Sequence, residues 1–120
     1  MRIWKYSGMY MIATGMIHNV VGLLMGWEVL GLMAQDGWVN SVSSEPDRNA
    51  IFWFLAIGFF WMITGHVFHK YLKESDHALP AIFGWYLLLF AVVGCTLMPV
   101  SGIWLFFPQA IMIILVKRNK

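Results

Sequence analysis

Apolar and polar positions in this chain come in long blocks. Four stretches without a charged residue, 7–27, 51–69, 79–98 and 100–116, leave all the charge to the two ends and the connecting segments. A helix crossing the hydrocarbon of a bilayer needs about 20 apolar residues, within a range of roughly 17–25. The blocks therefore predict an all-α polytopic membrane protein: a four-helix antiparallel transmembrane bundle forming a single domain over 1–120. Pro80 and Pro99 flank the third span at positions a helix tolerates. Pro108 lies inside the fourth and predicts a kink, with Gln109 available to the freed carbonyl. The first stretch exceeds the roughly 7–15 apolar residues of a signal peptide and no A-x-A site follows, so it reads as a span.

Composition agrees with a lipid surrounding. A chain that is 60% hydrophobic and 12% charged has too few charges to coat a small domain in water. The charges that exist set orientation. Arg2 and Lys5 precede the first span, Lys70 and Lys73 follow the second, and Lys117, Arg118 and Lys120 follow the fourth. Only Arg48 falls on the opposite side, among Glu28, Asp36, Glu45 and Asp47. The positive-inside rule then puts both termini in the cytoplasm. The net charge of +2 serves topology, and no nucleic-acid partner is expected. The single cysteine, Cys95, allows neither an intramolecular disulfide nor a CxxC pair, which excludes thiol oxidoreduction by this chain alone.

Glycines organise the first two spans. Gly8, Gly15 and Gly22 recur every seven residues, Gly26 extends the row, and Gly58 and Gly65 repeat the spacing. Small residues allow close backbone approach where no hydrophobic force drives helices together, so these stripes predict tight packing of the first span on the second. The alternative use is contact between two copies in a homo-oligomer. The segment 28–50 is a long outer connection with an apolar first half. It reads as a short interfacial helix, serving either as a plain connector or as a lid over an outward-facing pocket.

Polar groups at bilayer depth are costly and default to function. His18 lies ~16 Å along the first span by helical rise, close to mid-bilayer. Thr14 is one turn earlier, Asn19 flanks the glycine stripe, and Trp61 on the second span falls at similar depth, ~13 Å. The indole of Trp61 needs an acceptor, which neutral His18 supplies. Together with His66, these residues outline a candidate pocket: Thr14, His18, Asn19, Trp61 and His66. The competing reading is a satisfied buried histidine that locks two helices together. The remaining tryptophans Trp4, Trp27, Trp38, Trp53 and Trp104 suit interface belts.

His66 and His69, with His77 or Asp76, offer a loose metal-ligand set whose spacing matches no zinc signature. Bis-histidine haem needs ligands at similar depth, and His18 and His66 differ by ~10 Å along the normal. No metal or haem is therefore assigned. Met11–His18 faintly resembles Met62–His69 in the opposite direction, as an inverted repeat would. No carboxylate is embedded in a span, unlike the small multidrug antiporters of comparable size.

The run Gly8…Thr14-Gly15-Met16-Ile17-His18-Asn19, then Gly37-Trp38, then Phe52-Trp53-Phe54…Gly58 resembles a family of small bacterial four-helix membrane proteins of unknown function. That family is similar in layout to the DoxX-like group. The resemblance covers most of the chain and carries over Gly15, His18, Trp53, Phe54 and Gly58. It implies a multi-pass protein of the bacterial inner membrane, and through some DoxX-like members a link to redox or sulfur metabolism. Three functions follow as expectations. The leading one is binding of a small lipophilic ligand or partner helix around His18. The others are a membrane enzyme using His18 as acid/base on a lipid-soluble substrate, and a small proton-coupled transporter.

Overall fold

The computed structural model describes residues 2–116. Lys117, Arg118 and Lys120, part of the orientation argument, lie outside the described residues. Within them the chain is all-α, without a strand: α1 (Ser7–Met25), α2 (Trp27–Gln35), α3 (Pro46–Ser75), α4 (Ala81–Leu97) and α5 (Phe106–Ile114). Single 3₁₀ turns, Ile3–Tyr6 and Gly102–Leu105, lead into α1 and α5.

The helices are less equal than the apolar blocks predict. Two, Ile3–Met25 and Pro46–Ser75, are long and apolar enough to cross a membrane; Ala81–Leu97 and Gly102–Ile114 are shorter. Local chemistry accounts for each boundary. α1 stops two residues before the predicted end because the helix breaks at Gly26, whose bare Cα lies against the Ile51 side chain. α3 outruns its apolar block at both ends. Pro46 opens it with φ already helical, and the charged turns up to Ser75 continue it until Asp76 takes the left-handed conformation (φ 52°).

The last predicted span, 100–116, is helical only from Gly102. Met98 and Ser101 have extended backbone (φ −139° and −155°), and Pro99 has no N–H to continue α4. The carbonyls released there are claimed locally: Ser101 Oγ donates to Met98 O (2.9 Å) and Trp104 Nε1 to Pro99 O (2.8 Å). Trp104 thus clasps a hairpin instead of serving only as a belt residue. Pro108 occupies the first turn of α5, where N–H groups have no helical acceptor to lose. Gln109 is fully buried and reaches across to another helix, donating to Ser7 O (3.2 Å).

Packing follows the small residues. α1 and α3 run antiparallel with Gly8 facing Gly65 and Gly15 facing Gly58. A Cβ on Gly65 would lie 2.7 Å from both the Gly8 carbonyl and the Ile12 amide, and one on Gly15 would lie 2.7 Å from the Gly58 carbonyl. Each step is seven residues on both helices, two turns, which keeps one face turned to its partner. The glycine stripe is therefore used for packing inside the chain. α4 and α5 form a second close pair around Gly84, where a Cβ would lie 3.0 Å from the Ala110 carbonyl. Tyr10 joins the pairs by donating to Leu105 O (2.6 Å). So does Trp61, which sits edge-on to Phe106 (4.7 Å) and Phe90 (6.1 Å).

The buried core is mostly apolar, as at Leu72, Ala91, Phe106 and Ile113, but it holds polar side chains and leaves many large apolar ones outside. Ser7, Thr14 and Gln109 are buried, while Phe59 and Phe60 (both 58% exposed) and Leu24 (74%) face outward. Charges close the two ends. At one, Lys5 bonds Asp76 and Arg2 approaches it to 3.5 Å. At the other, Arg48 Nη1 donates to Asp36 (2.7 Å) and to Ser41 O (2.6 Å).

The Lys5 ammonium, by hydrogen bond and then by charge, holds the Asp76 carboxyl below its ordinary value of 3.8. A carboxylate depressed in the folded state adds stability above its unfolded pKa and loses it as pH falls through the folded one. Asp76→Asn keeps the left-handed backbone that asparagine tolerates. It is expected to melt slightly below wild type at pH 7 and together with it at pH 2, with the gap also closing in about 1 M salt, since exposed pairs are weak and screened. Thermal melts across that pH range check this.

Candidate groove beside His18

The side chains that sequence groups into one pocket separate into three places. Thr14, His18 and Trp61 line a single groove of about 400 Å³ between α1, α3 and the α4–α5 hairpin. Asn19 lies outside it, pressed against Gly58 with its Oδ1 buried. His66 is exposed on the far part of α3 and takes no part in the groove.

Gly58 positions the histidine. A Cβ there would lie 2.8 Å from His18 Cδ2, so the bare glycine lets the imidazole come down onto α3. It stacks on the Phe54 ring (3.8 Å between centroids, 13° between planes), and its Nε2 lies 2.8 Å from the Phe54 carbonyl. A carbonyl only accepts, so Nε2 carries the ring hydrogen and Nδ1 is the lone-pair nitrogen of the neutral ring. The Nδ1–Cε1 edge is the one turned away from Gly58. Trp61 meets the imidazole as a tilted ring (4.6 Å, 60°). Trp61 therefore meets His18 through ring contact and not through the expected hydrogen bond from its indole.

One turn below, Thr14 Oγ1 donates to Tyr10 O (3.0 Å), the usual back-bond of a helical threonine. Apolar side chains make the walls: Ile17 and Val21 from α1, Ile57 from α3 and Phe90 from α4. The mouth carries Met25, Met98 and Val100, the last 93% exposed. Ser101, Gly102 and Ile103 close the far wall. Sequence reading did not assign this wall, since it treats 100–116 as one span. The signal for it is Met-Pro-Val-Ser-Gly at 98–102, a run in which a helix cannot continue.

No residue of the outer connection 28–50 lines the groove. The first half of that connection is the helix α2, anchored by buried Met33. His69 lies at the α1–α3 crossing with Nδ1 buried, whereas His66 and His77 are exposed. Among the described residues no three or more His, Cys, Asp or Glu side chains gather to hold a metal.

Residues 2–120 match a family described as "Family of unknown function (DUF6463)". No curated protein and no solved structure matches the chain.

Proposed function

The chain belongs to DUF6463, a family of unknown function, and from the geometry of its groove we propose that it is a four-span membrane protein that binds a small lipophilic molecule beside His18. The observation that carries this reading is a deep apolar groove with a histidine and a threonine on its wall. Pockets for small molecules are mostly apolar with a few placed polar groups, and ionisable groups at membrane depth default to function.

The bilayer part of the proposal draws on three further features. The middle of α3 exposes Phe52, Trp53, Ile57, Phe59, Phe60 and Ile63, and an apolar surface of that size calls for a lipid or protein cover. Residues 49–69 of α3 carry no charge and span about 30 Å, the thickness of the hydrocarbon. Arg2, Lys5, Lys70 and Lys73 share one end, whereas Arg48 at the other is paired with Asp36, which favours cytoplasmic termini. The shorter α4 and the segment Gly102–Ile114 would cross as a hairpin. Its non-helical residues Met98, Val100 and Ser101 line the groove, the setting in which irregular backbone is tolerated at membrane depth.

Binding is favoured over acid/base catalysis and over proton-coupled transport by the groove's chemistry. His18 is the one titratable residue among those lining it, so a proton taken there has no second group to go to.

Two measurements test the reading. In a Cys95→Ser background, Ser44→Cys and Lys73→Cys should react with an impermeant maleimide from opposite sides of the membrane; labelling of both from one side sinks the topology. Native mass spectra of the full chain should show a small-molecule adduct on wild type that is reduced at least about tenfold in Ile57→Trp, which fills the groove. An adduct level indifferent to Ile57→Trp sinks the site.

A further inference from the structure

Resting on the groove as binding site, we infer that its ligand is a lipophilic alcohol or phenol, recognised by donating its hydroxyl hydrogen to His18 Nδ1, with the Thr14 oxygen as a second acceptor on the same wall. The inference comes from counting hydrogens. Three side chains with hydroxyl or imidazole groups line the groove: Thr14, His18 and Ser101. Each has one hydrogen to give, and each gives it to a backbone carbonyl: Thr14 to Tyr10, His18 Nε2 to Phe54, Ser101 to Met98. Ser101 Oγ additionally accepts from the Ile103 amide at 3.3 Å.

What these groups leave to a guest is lone pairs, on Nδ1 of the imidazole and on Thr14 Oγ1. Two acceptors select a donor. Ketones, ethers and esters bring only acceptors, and a carboxylate adds a charge facing the same lone pairs. A hydroxyl is a small neutral donor. Trp61, whose ring is 4.6 Å from the imidazole, borders the same groove as an aromatic surface. The stacked Phe54, the tilted Trp61 and Phe90 are aromatic surfaces suited to a flat hydrocarbon body.

Polar sites discriminate sharply when a ligand cannot make the hydrogen bond the site is built for, since a buried group is then left unpaired. A matched pair of probes isolates that hydrogen. Para-hexylphenol and its methyl ether, para-hexylanisole, share the ring, the tail and the acceptor oxygen and differ in the donor. Both are offered together, at equal concentration, to the purified full chain, and the two adducts are counted by native mass spectrometry. Normalising to His18→Phe removes the difference in partitioning into detergent. Wild type should then favour the phenol by about tenfold. Thr14→Val, of the same shape as wild type, should lower the preference by a smaller factor and serves as the test if His18→Phe does not fold. Equal occupancy by phenol and ether, in competition with each other for one site, overturns the hydroxyl inference and leaves the groove standing. Adducts of neither probe overturn both.

Discussion

Gly65→Val is expected to cost about 3 kcal/mol of stability, the upper part of the range for overpacked positions. The reason lies in what the new Cβ would meet. At Gly65 the obstacles are the Gly8 carbonyl and the Ile12 amide, both at 2.7 Å. Backbone on one helix faces backbone on the other, so no rotamer change relieves the contact. The helices must move apart, and that opens the Gly15–Gly58 approach two turns away as well. In the proposed bilayer setting the loss is not recovered by burying the exposed surface elsewhere, because acyl chains are as apolar as the side chains they would replace. Gly31→Ala is the matching control. Nothing lies within 4 Å of the added carbon there, and alanine is the better helix former by about 1 kcal/mol. Thermal denaturation of the two purified variants should therefore move in opposite directions from wild type. A Gly65→Val protein as stable as wild type would mean that the α1–α3 contact does not hold the fold.

The α1–α3 contact was also the most legible part of the fold. Seven-residue glycine spacing on two helices is a geometric statement, and it has few other uses than close antiparallel approach. The second pair of helices was harder to read. Residues 79–116 are apolar almost throughout, and such a run does not reveal by periodicity which residues face inward. Helix boundaries there depend on how Pro99 and Ser101 redirect the chain, and their consequence, a wall built of residues 101–103 opposite His18, is a tertiary fact. The site was legible in part for the same reason. Depth and helical phase group Thr14, His18 and Trp61, and these three line one groove. Depth and phase do not distinguish His18 from its neighbour Asn19, which differs by 100° on the helix wheel and so falls on the other side of the crossing. His66 was drawn in by residue type alone. What no pattern reveals is the hydrogen-bond partner of the imidazole, because that partner is a main-chain carbonyl, present at every position of α3.

That carbonyl makes Gly58→Ala the more telling change at the site. Here, unlike at Gly65, the added Cβ would meet side chains: the Asn19 amide and, at 2.8 Å, His18 Cδ2. Side chains can turn aside, so the helices keep their separation, and the gain in helix propensity, about 1 kcal/mol, offsets part of the local crowding. The imidazole cannot turn aside without leaving both its stacking on Phe54 and its 2.8 Å approach to the Phe54 carbonyl. Once Nε2–H is released from that carbonyl, the ring no longer has a fixed donor and a fixed acceptor edge, and a guest meets a mobile group in place of an oriented one. Pre-organisation of this kind is lost as affinity. The expected result is a protein whose melting point stays within a few degrees of wild type while groove occupancy falls about tenfold. Native mass spectrometry of the loaded protein, run beside a thermal melt of the same sample, separates the two effects. Occupancy unchanged in a folded Gly58→Ala protein would show that the orientation of His18 has no part in holding the ligand, and a parallel collapse of melting point and occupancy would show that position 58 serves the packing of α1 on α3 alone.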